Sequence, residues 1–245
     1  MNIQLPYSWV SDYVKTSATP KQVADILSLH SFSVEKITTT KDGDSIFEIE
    51  VTPNRYDALS IIGIARELKV LLPRCGYTCE WIDGKKEVSK ASKNFTNTKK
   101  IDITITNKDL VPGYASVIID NVSIGDSSEI VQDRLIKSGI RPINNIVDIT
   151  NYIMVELGQP MHAFDYDQIA HHKMLFRESL EGETITTLDG IKRKLPKGAI
   201  LIEDGDNKII DLCGIMGGEN SAISDKTSTV MFLAPIYEKT RIRKA

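Results

Sequence analysis

The chain has 245 residues, 41% of them hydrophobic, and a formal net charge of −3 at pH 7. A chain of this length and composition can bury a substantial core, arranged as one large domain or two modest ones. The slightly acidic balance excludes a protein that coats nucleic acid through bulk positive charge. We therefore expect no DNA partner and only local contacts with RNA.

The sequence lacks the features of a membrane or secreted protein. No segment approaches the roughly 20 apolar residues that a membrane span requires, and residues 1–10 have neither a basic start nor an apolar run. We expect a cytoplasmic protein without a membrane partner. Cys75 and Cys79 have no second pair or histidines at zinc spacing, so the cysteine pattern predicts neither disulfides nor a metal site.

Residues 1–84 are predicted to form a small N-terminal α/β domain. Thr19, Pro20 and Gln22 form the pattern of a helix start, because proline suits the first helical position and glutamine can bond back to the cap. Residues 46–51 alternate between apolar and polar side chains, which indicates a strand.

A turn-rich segment, residues 52–57, follows this strand. Its asparagine and aspartate are typical of turns, and Asp57 is predicted to cap a helix whose apolar face ends near Pro73. Arg55 has no role in such a turn. We interpret it as a residue of an interface or a buried ion pair rather than a catalytic one.

A linker is predicted at residues 85–100, which are polar, rich in lysine and serine and without hydrophobic periodicity. A second domain, residues 101–245, follows it. Residues 101–105 alternate and residues 114–120 are rich in β-formers, so both runs predict strands. Asp126 and Glu129 are predicted to open a helix.

Gly139 is predicted to end that helix. Further along the chain, Asp189-Gly190 between two short runs is a strong hairpin signal. Residues 200–203 are predicted to pair with residues 208–212. The second domain is therefore expected to be α+β and rich in antiparallel sheet, which makes α+β the class of the whole chain.

The most informative segment is residues 141–165, R-P-I-N-N-I-V-D-I-T-N-Y-I-M-V-E-L-G-Q-P-M-H-A-F-D. Ile143 and later apolar residues recur at helical spacing, Gly158 ends the pattern and Pro160 prevents its resumption. His162 is then predicted to lie in the loop beyond the helix.

Two polar residues of this helix and the histidine could line one pocket. Thr150 falls on the apolar face, where a hydroxyl is unfavourable unless something uses it, and Asn151 lies one turn after Val147. The alternative is a capped helix followed by a histidine that bonds to backbone.

The sequence ends in a basic run, residues 239–245, without glycine, proline or a recognisable closing element. We expect the second domain to be truncated at this end.

Three segments carry a resemblance to a known family. Residues 141–165 resemble the signature of the editing domain in the β subunit of bacterial-type phenylalanyl-tRNA synthetase. Residues 48–67, E-I-E-V-T-P-N-R-Y-D-A-L-S-I-I-G-I-A-R-E, resemble the strand-to-helix signature of that subunit's N-terminal domain. Residues 214–221, G-I-M-G-G-E-N-S, are similar to its glycine turn. The order of the segments implies an N-terminal piece of such a subunit.

The resemblance implies partners for the chain. The family's holoenzyme joins phenylalanine to its tRNA with ATP and magnesium, and the adenylate chemistry belongs to the α subunit. The implied partners are this α subunit and phenylalanine tRNA. The chain has no glycine-rich phosphate loop with a lysine, so we expect no cofactor in this fragment and no aminoacylation by it alone.

The family's editing domain hydrolyses tyrosine wrongly esterified to phenylalanine tRNA, which requires a held water and donors for the developing oxyanion. Matched residue by residue, the resemblance implies that Arg141, Thr150 and Asn151 hold the terminal adenosine and the ester. His162 would orient the water or act as general base. No metal is implied.

The remaining site residues implied by the resemblance surround the amino acid. Gly214 and Gly217 would form its pocket. Counted from Gly217 without gaps, the family's glutamate that recognises the tyrosine hydroxyl falls on Leu233, which cannot accept a hydrogen bond. A site that bonds a hydroxyl discriminates by roughly 10⁴ to 10⁵, and an apolar pocket by about 10². Editing is therefore expected to be weakened, unless Glu219 substitutes.

A second departure concerns residues 38–45, where most bacterial members insert an oligonucleotide-binding barrel and this chain has a short link. Two main functions stay open. The intact Thr150, Asn151 and His162 favour an ester hydrolase, whereas Leu233 favours a non-catalytic region for assembly and tRNA positioning. A freestanding editing protein is a weaker third alternative.

Overall fold

A computed structural model describes residues 1–82 and 99–245. Its mixture of helices and largely antiparallel sheets confirms the predicted α+β class. The helices are α1 (Tyr7–Val10), α2 (Pro20–His30), α3 (Ile61–Arg74), α4 (Glu129–Lys137), α5 (Asn145–Leu157) and α6 (Lys239–Lys244). The strands are β1 (Asn2–Pro6), β2 (Val14–Thr16), β3 (Ser33–Thr39), β4 (Ser45–Glu50), β5 (Cys79–Trp81), β6 (Asp102–Ile105), β7 (Gly113–Asp120), β8 (His162–Asp165), β9 (Lys173–Glu178), β10 (Thr184–Thr186), β11 (Lys192–Lys194), β12 (Ile200–Asp204), β13 (Ile209–Leu212), β14 (Met216–Gly217) and β15 (Thr229–Ile236).

The described residues divide into two compact units. The first contains residues 1–82, 127–143 and 148–159, and the second contains residues 99–126, 144–147 and 160–245. Helix α5 contributes to both. The predicted linker, residues 85–100, lies outside the described residues except for Lys99 and Lys100, and the predicted domain boundaries stay predictions.

The first unit contains an antiparallel sheet of order β1-β4-β3 and a short β2-β5 ladder. Its helices pack on a buried apolar cluster that includes Trp9, Phe47 and Leu68. Strands β3 and β4 form a hairpin whose turn contains Gly43 at a φ of +86°. This turn lies within residues 38–45, the short link that the sequence analysis identified.

The start of α2 confirms the sequence-based capping pattern. The Thr19 side chain accepts a hydrogen bond from the Gln22 amide, and the Gln22 side chain accepts one from the Thr19 amide. The start of α3 differs from the prediction. Ser60 caps this helix by accepting from the Gly63 amide. The Asp57 carboxylate is instead engaged by the Arg55 guanidinium.

Arg55 forms the ion pairs that its isolated position in the turn suggested. Its Nη2 lies 3.0 Å from an Asp57 oxygen and 2.8 Å from a Glu67 oxygen. The guanidinium also lies over the Phe32 ring, 4.8 Å from the ring centroid. Arg55 therefore ties the turn to α3 within the first unit.

Lys137, near the end of α4, forms the centre of an acidic cluster in the same unit. Its Nζ lies 2.6 Å from Asp42, 2.8 Å from Asp133 and 3.5 Å from Asp44, and its side chain is only 10% exposed. The Lys137 ammonium, together with the Thr40 hydroxyl, lowers the pKa of the Asp42 carboxyl to about 2.

We expect Lys137→Met to lower the free energy of unfolding at pH 7, because Asp42, Asp44 and Asp133 lose the cation that they share. A carboxyl with a depressed pKa stabilises the fold above its unfolded pKa, and this contribution is lost as the pH falls toward about 2. The difference between parent and variant should therefore shrink from pH 7 to pH 3. Urea unfolding at both pH values, with exposed Lys36→Met as control, measures it. An equal difference at both pH values would refute the ion-pair explanation.

The second unit contains a five-stranded sheet of order β14-β13-β12-β9-β6 and a three-stranded sheet of order β7-β15-β8. The pairing of β6 with β9 is parallel, a feature absent from the sequence-based prediction. The largest core of this unit joins residues of both sheets, including Phe164, Ile202, Met231 and Leu233.

The predicted hairpins of this unit are confirmed. Strands β10 and β11 pair around Asp189-Gly190, and β12 pairs with β13. The C-terminal residues form a helix that the sequence analysis did not predict, and the expected truncation stays a prediction. Glu238 caps the short helix α6 by accepting from the Thr240 and Arg241 amides. The sequence signal for this helix was weak, because α6 is short and most of its residues are charged.

Helix α5 confirms the predicted signature helix, but its start differs. Ile143 precedes the helix and is exposed, because the Asn144 side chain caps the first turn by accepting from the Ile146 and Val147 amides. Helix α4 likewise begins at Glu129, after the predicted Asp126. Gly158, at a φ of +79°, ends α5 as predicted.

His162 begins strand β8 and does not lie in a loop as predicted. No helix within residues 1–82 and 99–245 is both long and apolar enough to cross a membrane.

Candidate functional site

Strand β15 places His162 opposite Leu233. Residues 229–233 of β15 are all buried, and the strand pairs with β7 on one side and β8 on the other. In the β8–β15 ladder His162 is the direct partner of Leu233, and Phe164 is the partner of Met231. Directly opposite residues of an antiparallel pair project on the same face, so the imidazole shares its face of the sheet with the buried leucine.

Gly217 provides the surface on which the imidazole packs. A Cβ atom added to Gly217 would lie 2.5 Å from Cε1 and 2.6 Å from Nε2 of His162, and 3.2 Å from Cδ1 of Leu188. Distances below about 3 Å are too short for a real side chain, so only glycine allows this approach. The predicted glycine turn therefore meets the predicted histidine within the second unit.

The imidazole has an aromatic neighbour and an unpaired nitrogen. Its ring stands edge-on to Phe164, with 4.4 Å between the ring centroids. Nε2 is buried, and it has no hydrogen-bond partner among the residues that the structure describes. Such buried polar atoms are uncommon, and a catalytic role is one explanation for them.

A buried carboxylate that the sequence-based prediction missed lies beside this group. Asp211 is 5% exposed, and it is the ladder partner of Gly217. Burial raises the pKa of the Asp211 carboxyl, while His162 and a hydrogen bond with the Cys213 thiol act in the opposite direction. A carboxylate within the apolar run of β13 was the signal that could have indicated it.

Cys213 and Tyr237 extend this buried polar group. Burial raises the pKa of the Cys213 thiol well above its ordinary value, and nearby Asp211 raises it further. Burial likewise raises the pKa of the Tyr237 hydroxyl, which hydrogen-bonds Cys213. A thiol held in this neutral form is a poor nucleophile, so covalent catalysis by Cys213 is disfavoured.

The other predicted site residues are placed as follows. Gly214 is exposed, has a φ of +69° and packs against the Ile242 side chain of α6. Arg141, Thr150 and Asn151 belong to the first unit, where Arg141 is exposed, Thr150 is buried and Asn151 is half-buried. Their roles stay predictions.

Glu219 begins an exposed short turn directly after Gly218. It lines an open groove of about 570 Å³ together with Thr184, Asn207 and Lys208 among others. None of the predicted catalytic or pocket residues contributes to this groove. In the described part of the chain, no group of three or more histidine, cysteine or acidic residues could hold a metal ion.

The segment that contains this geometry matches a known family. Residues 110–245 match the B3/4 domain family, more than half of the 245-residue chain. The chain therefore belongs to the B3/4 domain family.

The curated relatives of the chain are phenylalanine–tRNA ligase β subunits, which confirms the resemblance drawn from the sequence. The chain is 42% identical over 205 residues to the β subunit of Dehalococcoides mccartyi strain CBDB1. This match covers 82% of this chain and 24% of the relative. It is 37% identical over 234 residues to the β subunit of Staphylococcus haemolyticus strain JCSC1435, and this match covers 94% of this chain and 28% of the relative. The chain thus spans about a quarter of the length of these relatives.

A solved structure is more distantly similar. It is an N-terminal fragment of the phenylalanyl-tRNA synthetase β subunit from Pyrococcus horikoshii, 13% identical, with a TM-score of 0.44. The match covers 96% of this chain and 68% of that one. A likeness this distant adds nothing to the assignment.

Proposed function

We propose that this chain is the N-terminal part of a phenylalanine–tRNA ligase β subunit and that its B3/4 segment hydrolyses mischarged tyrosyl-tRNA. The observation that carries the proposal is the packing of His162 on Gly217. It joins two of the three signature segments at a buried imidazole nitrogen. Membership of the B3/4 family supports the same function.

In the proposed reaction, water adds to the carbonyl carbon of the tyrosyl ester. The bond between this carbon and the ribose oxygen then breaks, and the ribose oxygen takes a proton. The products are free tyrosine and uncharged tRNA. His162 either orients the water or accepts its proton.

The wider role follows from the same assignment. As part of a longer β subunit, the chain would act with an α subunit and phenylalanine tRNA in aminoacylation. ATP and magnesium would serve the adenylate step on the α subunit. The α subunit, the tRNA and the hydrolysis remain parts of the proposal.

Deacylation of tyrosyl-tRNA by the 245-residue chain tests the hydrolase. We expect measurable hydrolysis by the parent and a fall of about 10²- to 10⁴-fold for His162→Ala, the range typical of a lost acid–base group. His30→Gln, an exposed histidine at the end of α2, is the matched control and should retain the parent rate. Full hydrolysis by His162→Ala would refute a role of His162.

A glutamine variant separates the two roles of His162, because a side-chain amide can orient a water molecule but cannot accept its proton. If His162 accepts the proton, His162→Gln should lose as much hydrolysis as His162→Ala. If His162 only orients the water, His162→Gln should retain most of the parent rate.

The second candidate function is a non-catalytic region for assembly and tRNA positioning. The buried Leu233 favours it, because leucine beside His162 offers no acceptor for a tyrosine hydroxyl. No hydrolysis above background, with retained binding of the α subunit, would support this alternative and refute the hydrolase.

A further inference from the structure

Asp211 is an unexpected residue in its strand. Its neighbours Ile210 and Leu212 are 0% and 4% exposed, and Asp211 itself is 5% exposed. Aspartate is seldom fully buried unless it is paired, because removing a carboxylate from water is costly. Groups kept buried at such a cost are concentrated at functional sites.

The register of β13 with β12 shows which core the Asp211 side chain faces. Its ladder partner in β12 is Ile202, a residue of the core that also contains Leu233 and Phe164. Asp211 therefore faces that core.

The pairing of Asp211 with a second strand, β14, defines the position of its side chain more closely. Asp211 lies opposite Gly217 in β14, and opposite residues have Cβ positions about 5 Å apart. The Cβ position of Gly217 is 2.5 Å from the His162 ring. The carboxylate and the imidazole are thus neighbours, as the influence of His162 on the Asp211 carboxyl also indicates.

Two different side chains therefore flank the His162 ring. Leu233 lies on the β15 side, at the position that the resembled family gives to its hydroxyl-binding glutamate. Asp211 lies on the β13 side. A carboxylate is present beside the imidazole, but from another strand.

We propose that Asp211 takes over the role of the missing glutamate and accepts the hydrogen bond of the tyrosine hydroxyl in the ester bound beside His162. This inference rests on the proposed function, which supplies the substrate. A carboxyl group has two oxygens with several acceptor positions, so the Cys213 thiol, a weak donor, leaves capacity for a phenol. Selectivity for tyrosine over phenylalanine then depends on Asp211.

The test compares hydrolysis of tyrosyl- and phenylalanyl-tRNA by the 245-residue chain. Asp211→Ala should lower the ratio of kcat/KM for tyrosine over phenylalanine by at least about 100-fold, because the hydroxyl loses its acceptor. The rate for phenylalanine should change much less than the rate for tyrosine. Asp211→Asn keeps a neutral acceptor and should lose less. Asp225→Ala, an exposed aspartate of the same unit, should behave as the parent.

A carboxylate exchange sharpens the test. Adding Leu233→Glu to Asp211→Ala should restore the tyrosine preference, because the carboxylate returns to the other side of the imidazole. Thermal unfolding of each variant verifies folding. An unchanged ratio in Asp211→Ala would overturn the proposal. Equal losses for both esters would also overturn it, since they indicate a role in catalysis or folding.

Binding separates this proposal from the hydrolase itself. The probes are adenosine derivatives that carry tyrosine or phenylalanine through a non-hydrolysable 3′-amide. Calorimetry should give tighter binding of the tyrosyl amide to the parent, and Asp211→Ala should abolish the difference. Such a difference in binding without any hydrolysis would refute the proposed hydrolase activity and support the role of Asp211. Equal binding of the two amides to the parent would overturn the role of Asp211.

Discussion

Gly217→Ala is expected to displace the His162 imidazole and to lower the free energy of unfolding by about 1–3 kcal/mol, the usual cost of overpacking. The added methyl carbon would lie 2.5 Å from Cε1 of the ring, so one of the two must move. The ring is the softer partner because it is the end of a side chain. Its movement away from β14 should also abolish any hydrolysis that depends on His162.

A matched control is available in the same unit. Gly113 is also a strand glycine, and a Cβ atom added there would meet only the Ile236 side chain, at an ordinary 3.8 Å. Gly113→Ala should therefore be neutral or slightly stabilising, because alanine restricts the unfolded chain.

A double-mutant cycle connects the destabilisation to the imidazole. In a His162→Ala background the methyl group meets no ring, so Gly217→Ala should cost clearly less than it does in the parent. Urea unfolding gives the four free energies, and NMR of the His162 ring protons reports the displacement. Equal costs in both backgrounds, or unshifted ring resonances, would contradict the packing of His162 on Gly217.

Features determined by nearby residues were predictable from the sequence. The capping pair of Thr19 and Gln22 lies within one helical turn, and the hairpin at Asp189-Gly190 depends on adjacent residues. The stop of α5 at Gly158 is equally local. Where two local candidates competed, the prediction was wrong. Asp57 had the right chemistry for a cap, but its carboxylate pairs with Arg55 and Ser60 caps α3 instead.

Features that depend on strand register could not be predicted from the sequence. The sequence places His162 about 70 positions before Leu233, and only the β8–β15 pairing makes them neighbours. The parallel pairing of β6 with β9 is a similar non-local contact. The resemblance supplied His162 and Gly217 as site residues but gave no indication of Asp211. Its position beside the imidazole follows from the β13–β14 register.

Leu233→Glu is expected to be the most damaging of these substitutions, with a loss of about 3–5 kcal/mol in the free energy of unfolding at pH 7. Leu233 is 1% exposed in an apolar core, directly opposite His162. The introduced carboxyl should have a raised pKa in the folded state. The folded state then binds more protons than the unfolded state, so stability falls as the pH rises. The loss should be smaller near pH 4 than at pH 7.

Two control variants separate charge from polarity and volume. Leu233→Gln has nearly the same shape as the glutamate variant without its charge, so its loss should be smaller and independent of pH. Leu233→Met preserves volume and should cost less than about 1.5 kcal/mol. A glutamine variant as unstable as the glutamate variant would show that polarity, and not charge, determines the loss.

The interaction with Asp211 provides the decisive measurement. Both side chains face the same core, so Leu233→Glu places a second carboxylate near one that is already buried. Like charges in such a setting repel, and Leu233→Glu should cost about 1–2 kcal/mol less in an Asp211→Ala background than in the parent. Urea unfolding of the four proteins at pH 7 gives the coupling. Additive losses would mean that the two positions do not share an environment, and a carboxylate could not be exchanged between them across the imidazole.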